Sequence, residues 1–187
     1  MDRALVVRAQ GGDQAAFAGL LDGDGGRLLA IADGILRDRG LAEDATQRAL
    51  LTIWRDLPGL RDPDRYEAWS YRVLVRTCYA EARRARGWLP NVLSPVTVDG
   101  TAYDPLGNVV DRDQLERAFR RLSVEQRAVI VLHHYLELPR PEIAEALGVP
   151  LGTVHSRLRN AMAALRAALD ADARPGPADS AAVQATR

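Results

Sequence analysis

The sequence predicts an all-α protein built from two small helical domains joined by a flexible linker, the C-terminal one a helix-turn-helix. Three observations lead there. Apolar residues recur at helical spacing in one segment after another between turn signals. One interior stretch, Trp88 to Asn108, is rich in Pro, Gly, Asn, Ser and Thr and loses that periodicity, as a linker does. Farther on, Pro141 to Arg166 reads as two helices around a tight turn. The expected boundaries are residues 1–87 for the first domain, 88–110 for the linker, 111–169 for the second domain and 170–187 for a disordered tail.

Taken in order, Leu5, Val6 and Ala9 suggest a short helix ending at Gly11-Gly12. Asp13 suits the N-cap of the next, with Ala16, Phe17, Leu20 and Leu21 as its buried stripe. Gly23 to Gly26 predicts a break. Leu28, Leu29, Ala32, Ile35 and Leu36 then form another amphipathic helix, closed by Gly40. In the helix from Ala42 to Leu57, the residues Leu50, Ile53, Trp54 and Leu57 share one face, with Trp54 most simply a core residue. Asp44, Gln47, Arg48, Leu51 and Arg55 fall on the other, and Leu57-Pro58-Gly59 ends the helix.

A loop from Arg61 to Arg65 follows, and Asp64 with Glu67 makes a capping box for a long helix. Along that helix Arg72, Arg76, Tyr79, Arg83 and Arg86 are spaced by four, three, four and three residues. One line of guanidinium groups and a ring suits a nucleic-acid backbone near unstacked bases, since arginine pairs with phosphate and stacks on bases. A solvated face in an arginine-rich chain stays open as the alternative.

Beyond the linker, Asp111 or Asp113 suits the cap of a helix containing Leu115, Phe119 and Leu122. Ser123 to Gln126 is a second capping box, ahead of Val129, Ile130 and Leu132. Pro141 fits a first helical turn, where its missing N–H costs nothing, and Gly148 stops the helix that holds Ile143, Ala144 and Leu147. Val154, Leu158, Met162 and Leu165 then form the apolar stripe of a last helix, leaving Thr153, His155, Ser156, Arg159 and Asn160 elsewhere on its surface. Leu151 to Arg166 contains three arginines and no acidic residue, a charge balance suited to a major groove. An ordinary αα-hairpin is the alternative at this stage. From Asp170 onward Ala, Asp, Pro, Gly and Ser predominate.

Composition sets outer limits. All 25 basic residues are arginine, which reads first as compositional bias and only second as a binding signal. Net charge is zero, so a nucleic-acid surface has to be a local patch. Cys78 is alone, which excludes an internal disulfide and fits a reducing cytoplasm. No apolar run reaches membrane-spanning length, and the N-terminus shows Asp2 and no signal core, so membrane insertion is not expected.

Two stretches carry a resemblance. AEDATQRALLTIWRDLPGLRDPDRYEAWSYRVLVRTCYAEARRARG resembles the core-binding and −10-reading domain of extracytoplasmic-function (ECF) sigma factors of bacterial RNA polymerase. LSVEQRAVIVLHHYLELPRPEIAEALGVPLGTVHSRLRNAMAALRAAL is similar to their −35-reading domain. The order and spacing are the family's. The resemblance implies a protein that docks on core polymerase through the β′ clamp helices and the β flap, with promoter DNA as the second partner and an anti-sigma factor as a further one. It implies polymerase contacts by Asp44, Gln47, Arg48, Leu51 and Arg55. It implies −10 contacts by Arg61, Asp62, Asp64, Arg65, Arg72, Arg76, Tyr79 and Arg83. The −35 contacts would be Thr153, His155, Ser156, Arg157, Arg159 and Asn160, with Ser156 and Arg159 facing base edges and His155 and Arg157 nearer phosphates. The linker would thread through polymerase.

Some residues depart from the family pattern. Arg48 stands where relatives usually carry an acid, and Leu50 where they often carry Phe. His155 replaces a frequent lysine, so its phosphate contact is expected to be weaker and pH-dependent. Pro139 and Pro141 flank Arg140 where a Ser or Thr helix start is usual.

Catalytic readings find little support. His133-His134 suggests a metal, yet adjacent helical residues point about 100° apart and no second cluster adds ligands. The carboxylates Glu43, Asp44, Asp62 and Asp64 lack the convergence a metal nuclease needs. No phosphate-cradling GxxxxGK[ST] loop is present. No cofactor is called for. The closest competing function is an autonomous helix-turn-helix regulator, which would need a dimer to read two half-sites.

Overall fold

Short acidic and hydroxyl side chains start several of the helices, and the computed structural model places eight α-helices among the residues it describes, 2–88 and 109–173. Asp2 caps α1 (Arg3–Gln10), accepting from Ala4 N at 2.9 Å. Gly11 ends this helix as predicted, and Gly12 takes φ 87°, a conformation that favours glycine. Asp13 caps α2 (Gln14–Leu36), accepting from Ala16 N at 3.0 Å. That backbone bond, with the Arg8 guanidinium, holds the Asp13 carboxyl below the usual carboxylate range.

The break predicted at Gly23 to Gly26 does not occur: α2 runs through it. Each glycine costs roughly 1 kcal/mol relative to alanine in a helix, but Leu20, Leu28, Ile31 and Ile35 line one buried face across the gap. Burial of that stripe outweighs propensity. A Cβ at Gly25 would meet nothing within 4 Å, and no positive φ requires glycine there. Gly25→Ala is therefore expected to stabilise the chain by about 0.5–1 kcal/mol, raising the thermal midpoint by roughly 1–4 °C. A lowered midpoint in calorimetry would mean that the glycines serve a packing role.

Arg37, in the left-handed region at φ 55°, ends α2, and Asp38 caps α3 (Arg39–Asp56) through Leu41 N at 2.9 Å. Gly40, expected to close the preceding helix, lies in the first turn of α3 because Asp38 takes the cap. A 3-10 turn at Leu57–Gly59 follows, and a second at Pro63–Arg65. Asp62, not Asp64, caps the second, accepting from Asp64 N at 3.0 Å. The expected Asp64–Glu67 box is replaced by longer-range pairs. Asp64 meets Arg3 at 3.0 Å, and Glu67 meets Arg27 at 2.6 Å and accepts from the Tyr71 hydroxyl at 2.7 Å. The long helix α4 (Tyr66–Trp88) includes Trp88, the first residue assigned to the linker.

In the second domain α5 (Val109–Arg120) begins ahead of Asp111 and Asp113, which lie inside it and not at its cap. Ser123 and Gln126 form the predicted reciprocal box at the start of α6 (Val124–Ile130), with Gln126 N donating to Ser123 Oγ at 3.2 Å and Ser123 N to Gln126 Oε1 at 2.9 Å. A π-helical turn, Val131–Tyr135, leads to α7 (Arg140–Leu147) and α8 (Leu151–Ala173). That last helix extends past the expected boundary at 169; the remaining linker and tail residues, 89–108 and 174–187, lie outside the described residues. Within the first domain α3 packs on α2 and α4, and within the second α8 packs on α5, α6 and α7. The domains also meet, α2 against α6 and the π turn, α4 against α7.

Candidate polymerase and promoter interface

The outer face of α3 is polar with one exception. Asp44, Gln47, Arg48 and Arg55 are exposed, while Ile53 and Leu57 on the opposite face are fully buried. Leu51 stands among the polar residues at 69% exposure. Beside it an open groove of about 390 Å³ is lined by Gln14, Phe17 and Leu21 from α2 and by Leu50, Leu51 and Trp54 from α3. Phe17 and Trp54 form its tilted aromatic wall, ring centroids 4.6 Å apart. Trp54 thus borders the surface as well as the core. The part played by Phe17 and Leu21 is not visible from α3 alone, since they come from a different helix.

Arg48 has an internal partner. It pairs with Glu81 on α4, a carboxylate only 3% exposed, which also accepts from Arg84 Nη1 at 3.0 Å. Arg55 pairs with its neighbour Asp56 at 2.7 Å and, by that hydrogen bond, holds the Asp56 carboxyl below its ordinary range.

On the loop before α4, Arg61, Asp62, Asp64 and Arg65 are all exposed. Along α4 itself Arg76 and Arg83 are exposed and Arg72 is half-buried, its Nε donating to the Glu145 carbonyl of α7 at 2.7 Å. Tyr79 departs from the expected open stripe. Its ring is partly buried, its hydroxyl is fully buried without a hydrogen-bond partner among the described residues, and burial pushes its pKa up to about 12. The Arg157 guanidinium nearby opposes that rise. Arg86 lies in α4.

The helix-turn-helix is α7 and α8. Gly148, at φ 65°, caps α7, Val149 N donates to Ala144 O at 3.0 Å, and Pro150 O receives Thr153 N at 2.9 Å. Val154, Leu158 and Leu165 face the core as the stripe predicts, with Met162 half-buried. His155, Arg159 and Asn160 are exposed, whereas Thr153, Ser156 and Arg157 are half-buried. Ser156 Oγ donates to Thr153 O at 3.0 Å, so its hydroxyl proton is engaged while its lone pairs remain available. Leu151, 42% exposed at the first position of α8, joins this face although it stands outside the −35 residues named from the sequence. The His133 and His134 rings sit edge to face, 4.7 Å apart, in the π turn. Among the described residues no group of His, Cys, Asp or Glu is arranged to hold a metal.

Residues 20–87 match the family described as Sigma-70 region 2, and residues 112–165 match Sigma-70, region 4. The chain is 35% identical over 150 residues to the RNA polymerase sigma-E factor of Streptomyces antibioticus, a match covering 79% of this chain and 82% of that one. It is 30% identical over 175 residues to the ECF RNA polymerase sigma factor SigK of Mycobacterium tuberculosis, covering 89% of this chain and 92% of the relative. This chain is an ECF sigma factor.

As an ECF sigma factor it binds core RNA polymerase and promoter DNA and directs the initiation of transcription. The fold agrees with that assignment. A solved structure of CnrH in complex with the cytosolic domain of CnrY matches at TM-score 0.68 and 27% identity, over 92% of this sigma factor and 99% of that chain. The sigma factor RpoE of Bartonella quintana, solved with the anti-sigma factor NepR, shares the fold at TM-score 0.64 and 23% identity, over 83% of this chain and 98% of that one. No helix among the described residues is long and apolar enough to cross a membrane.

Proposed function

We propose that this sigma factor divides promoter recognition between its two domains and anchors both to polymerase through α3. The observation that carries the reading is Leu51, exposed beside the apolar groove on the domain that lacks the helix-turn-helix. A polymerase-docking factor needs an apolar anchor of this kind set among polar rim residues. Leu51 is the anchor, with Asp44, Gln47, Arg48 and Arg55 as its polar rim, against the β′ clamp helices. The β flap is the second polymerase contact, made from the α7–α8 domain.

The loop from Arg61 to Arg65 and the stripe Arg72, Arg76, Tyr79 and Arg83 take the −10 region, the loop holding a flipped base and the arginines tracking the backbone. The α8 face reads −35 duplex, with Arg159 and Ser156 toward base edges. The protein binds and separates strands in the cytoplasm; polymerase makes the bonds. An anti-sigma factor is a third partner; RpoE, which shares the fold, was solved with the anti-sigma factor NepR, and CnrH with the cytosolic domain of CnrY.

Transcription in vitro with purified core polymerase on genomic DNA tests the reading and maps promoters together. Discrete transcripts dependent on the chain are expected. A dimer that shifts duplex DNA and yields no transcript would replace this reading with the autonomous regulator. On a mapped promoter, Arg159→Ala should cost roughly 1–3 kcal/mol and relax preference at one −35 base pair. A uniform loss across −35 variants would make Arg159 a phosphate contact.

A further inference from the structure

The loop from Arg61 to Arg65 is tied at both ends to α1, a helix far from it in sequence. At the C-terminal end of α1 the Gln10 amide nitrogen donates to two carbonyls, that of Leu60 at 2.6 Å and that of Leu57 at 3.3 Å. Only the NH2 end of a glutamine side chain can face two carbonyl oxygens, and it has one proton for each. The Leu60 carbonyl belongs to the planar peptide unit that continues into Arg61, so its orientation sets the direction in which the loop leaves the 3-10 turn. At the other end of α1, Arg3 Nε lies 3.0 Å from the Asp64 carboxylate.

The bonds inside the loop shape it without fixing its place. Asp62 accepts from Asp64 N at 3.0 Å, and Arg65 N donates to the Asp62 carbonyl at 3.1 Å. Arg61, Asp62, Asp64 and Arg65 are all exposed, so packing does little to hold them. α1, by contrast, is anchored. Its Val6 and Ala9 are buried, it packs on α2, and Arg8 Nη2 meets Asp13, the cap of α2, at 2.7 Å. Gln10 is half-buried at the end of that helix, where it passes the position of a packed helix pair to an otherwise exposed loop. Side chains that must meet a flipped base within about 0.5 Å need a rigid element of this kind behind them.

We propose that α1 is the support of the base-capture loop and that Gln10 is its positioning residue, acting on the captured base through the Leu60–Arg61 peptide without touching DNA. The proposal rests on the assignment of the Arg61 to Arg65 loop to −10 DNA. A loop held in its working position before DNA arrives leaves less ordering cost to be met on capture. Gln10 and Arg3 are thus promoter-recognition residues of a second rank, and neither belongs to the loop or to the arginine stripe.

The test uses holoenzyme assembled from core polymerase and the full chain. Its probes are single-stranded −10 oligonucleotides from a mapped promoter, each made abasic at one position. With the wild type, one position should carry a large affinity penalty and so mark the captured base. Gln10→Met keeps the side-chain length and removes both donors. It should shrink that penalty about tenfold, the effect of two ordinary hydrogen bonds, while affinity for core polymerase and for −35 duplex stays the same. Gln10→Glu sets a carboxylate against two carbonyl oxygens and should shrink the penalty further. Arg3→Glu, on an exposed side chain, should shrink it about threefold. A role in folding alone would weaken core binding, −35 binding and −10 binding together and leave the abasic penalty intact. That pattern, or the full penalty in a folded Gln10→Met chain, overturns the proposal. If Gln10→Met fails to fold, the full penalty in Arg3→Glu overturns it. A wild type that shows no abasic penalty at any position would sink the −10 assignment of the loop itself, and the support with it.

Discussion

Leu51→Asp is expected to abolish binding to core RNA polymerase while the chain stays folded. Leu51 is 69% exposed, so the substitution removes almost no buried apolar area. The new carboxylate would sit one helical turn from Arg48 and from Arg55, both exposed on the same face, which offsets the lower helix propensity of aspartate. Helical content and melting temperature should therefore remain near the wild-type values. In the complex the same carboxylate would be pressed into an apolar seam lined by Phe17, Leu21 and Trp54. Burying an unpartnered charge costs about 3–5 kcal/mol, which raises Kd by more than about 100-fold. Fluorescence anisotropy with labelled chain and purified core polymerase measures this, with circular dichroism as the control. If the variant binds normally, docking uses another face; if it unfolds, Leu51 contributes to the core despite its exposure.

The second large effect concerns strand opening. Arg76 and Arg83 are stripe residues that remain exposed while the domains are packed together, and neither takes part in the Glu145 contacts. The double substitution Arg76→Ala with Arg83→Ala should remove two charge-assisted contacts, about 3 kcal/mol together, and impair open-complex formation on duplex promoters. The dependence of log K on log salt for a single-stranded −10 oligonucleotide should flatten by about 1.4, the value for two phosphate contacts. Recovery on a pre-melted bubble template would place the defect in melting. Equal loss on both templates would point to folding or docking and count against the stripe.

Much of the fold was legible because its signals are local. Asp13, the Ser123–Gln126 box, and Gly148 with Pro150 each act over a few residues, and the structure uses them as the sequence suggests. The failures occur where distant contacts decide. The glycines of α2 read as a break until the buried stripe from Leu20 to Ile35 is considered as one face. Asp64 reads as the cap of α4, but Arg3 engages it, and Asp62 caps the 3-10 turn ahead of that helix. For the candidate site, the facing of α3 was readable from helical periodicity, and so was the apolar stripe of α8. The partners were not. Arg72 and Glu145 are 73 residues apart, and Arg127 and Ile35 are 92 apart. Nothing in the spacing of arginines along α4 says that Arg72 will meet the other domain, or that Tyr79 will turn inward.

Glu81 has a consequence for how α3 can vary. It is an almost wholly buried carboxylate on α4, served by Arg48 from α3 and by Arg84 from its own helix. An acid in place of Arg48 would by itself set two carboxylates against each other, one of them without access to water. A carboxylate at position 48 is better tolerated once position 81 holds a neutral or basic side chain. Positions 48 and 81 are therefore coupled, and the charge on the outer face of α3 is set in part by a buried residue of α4.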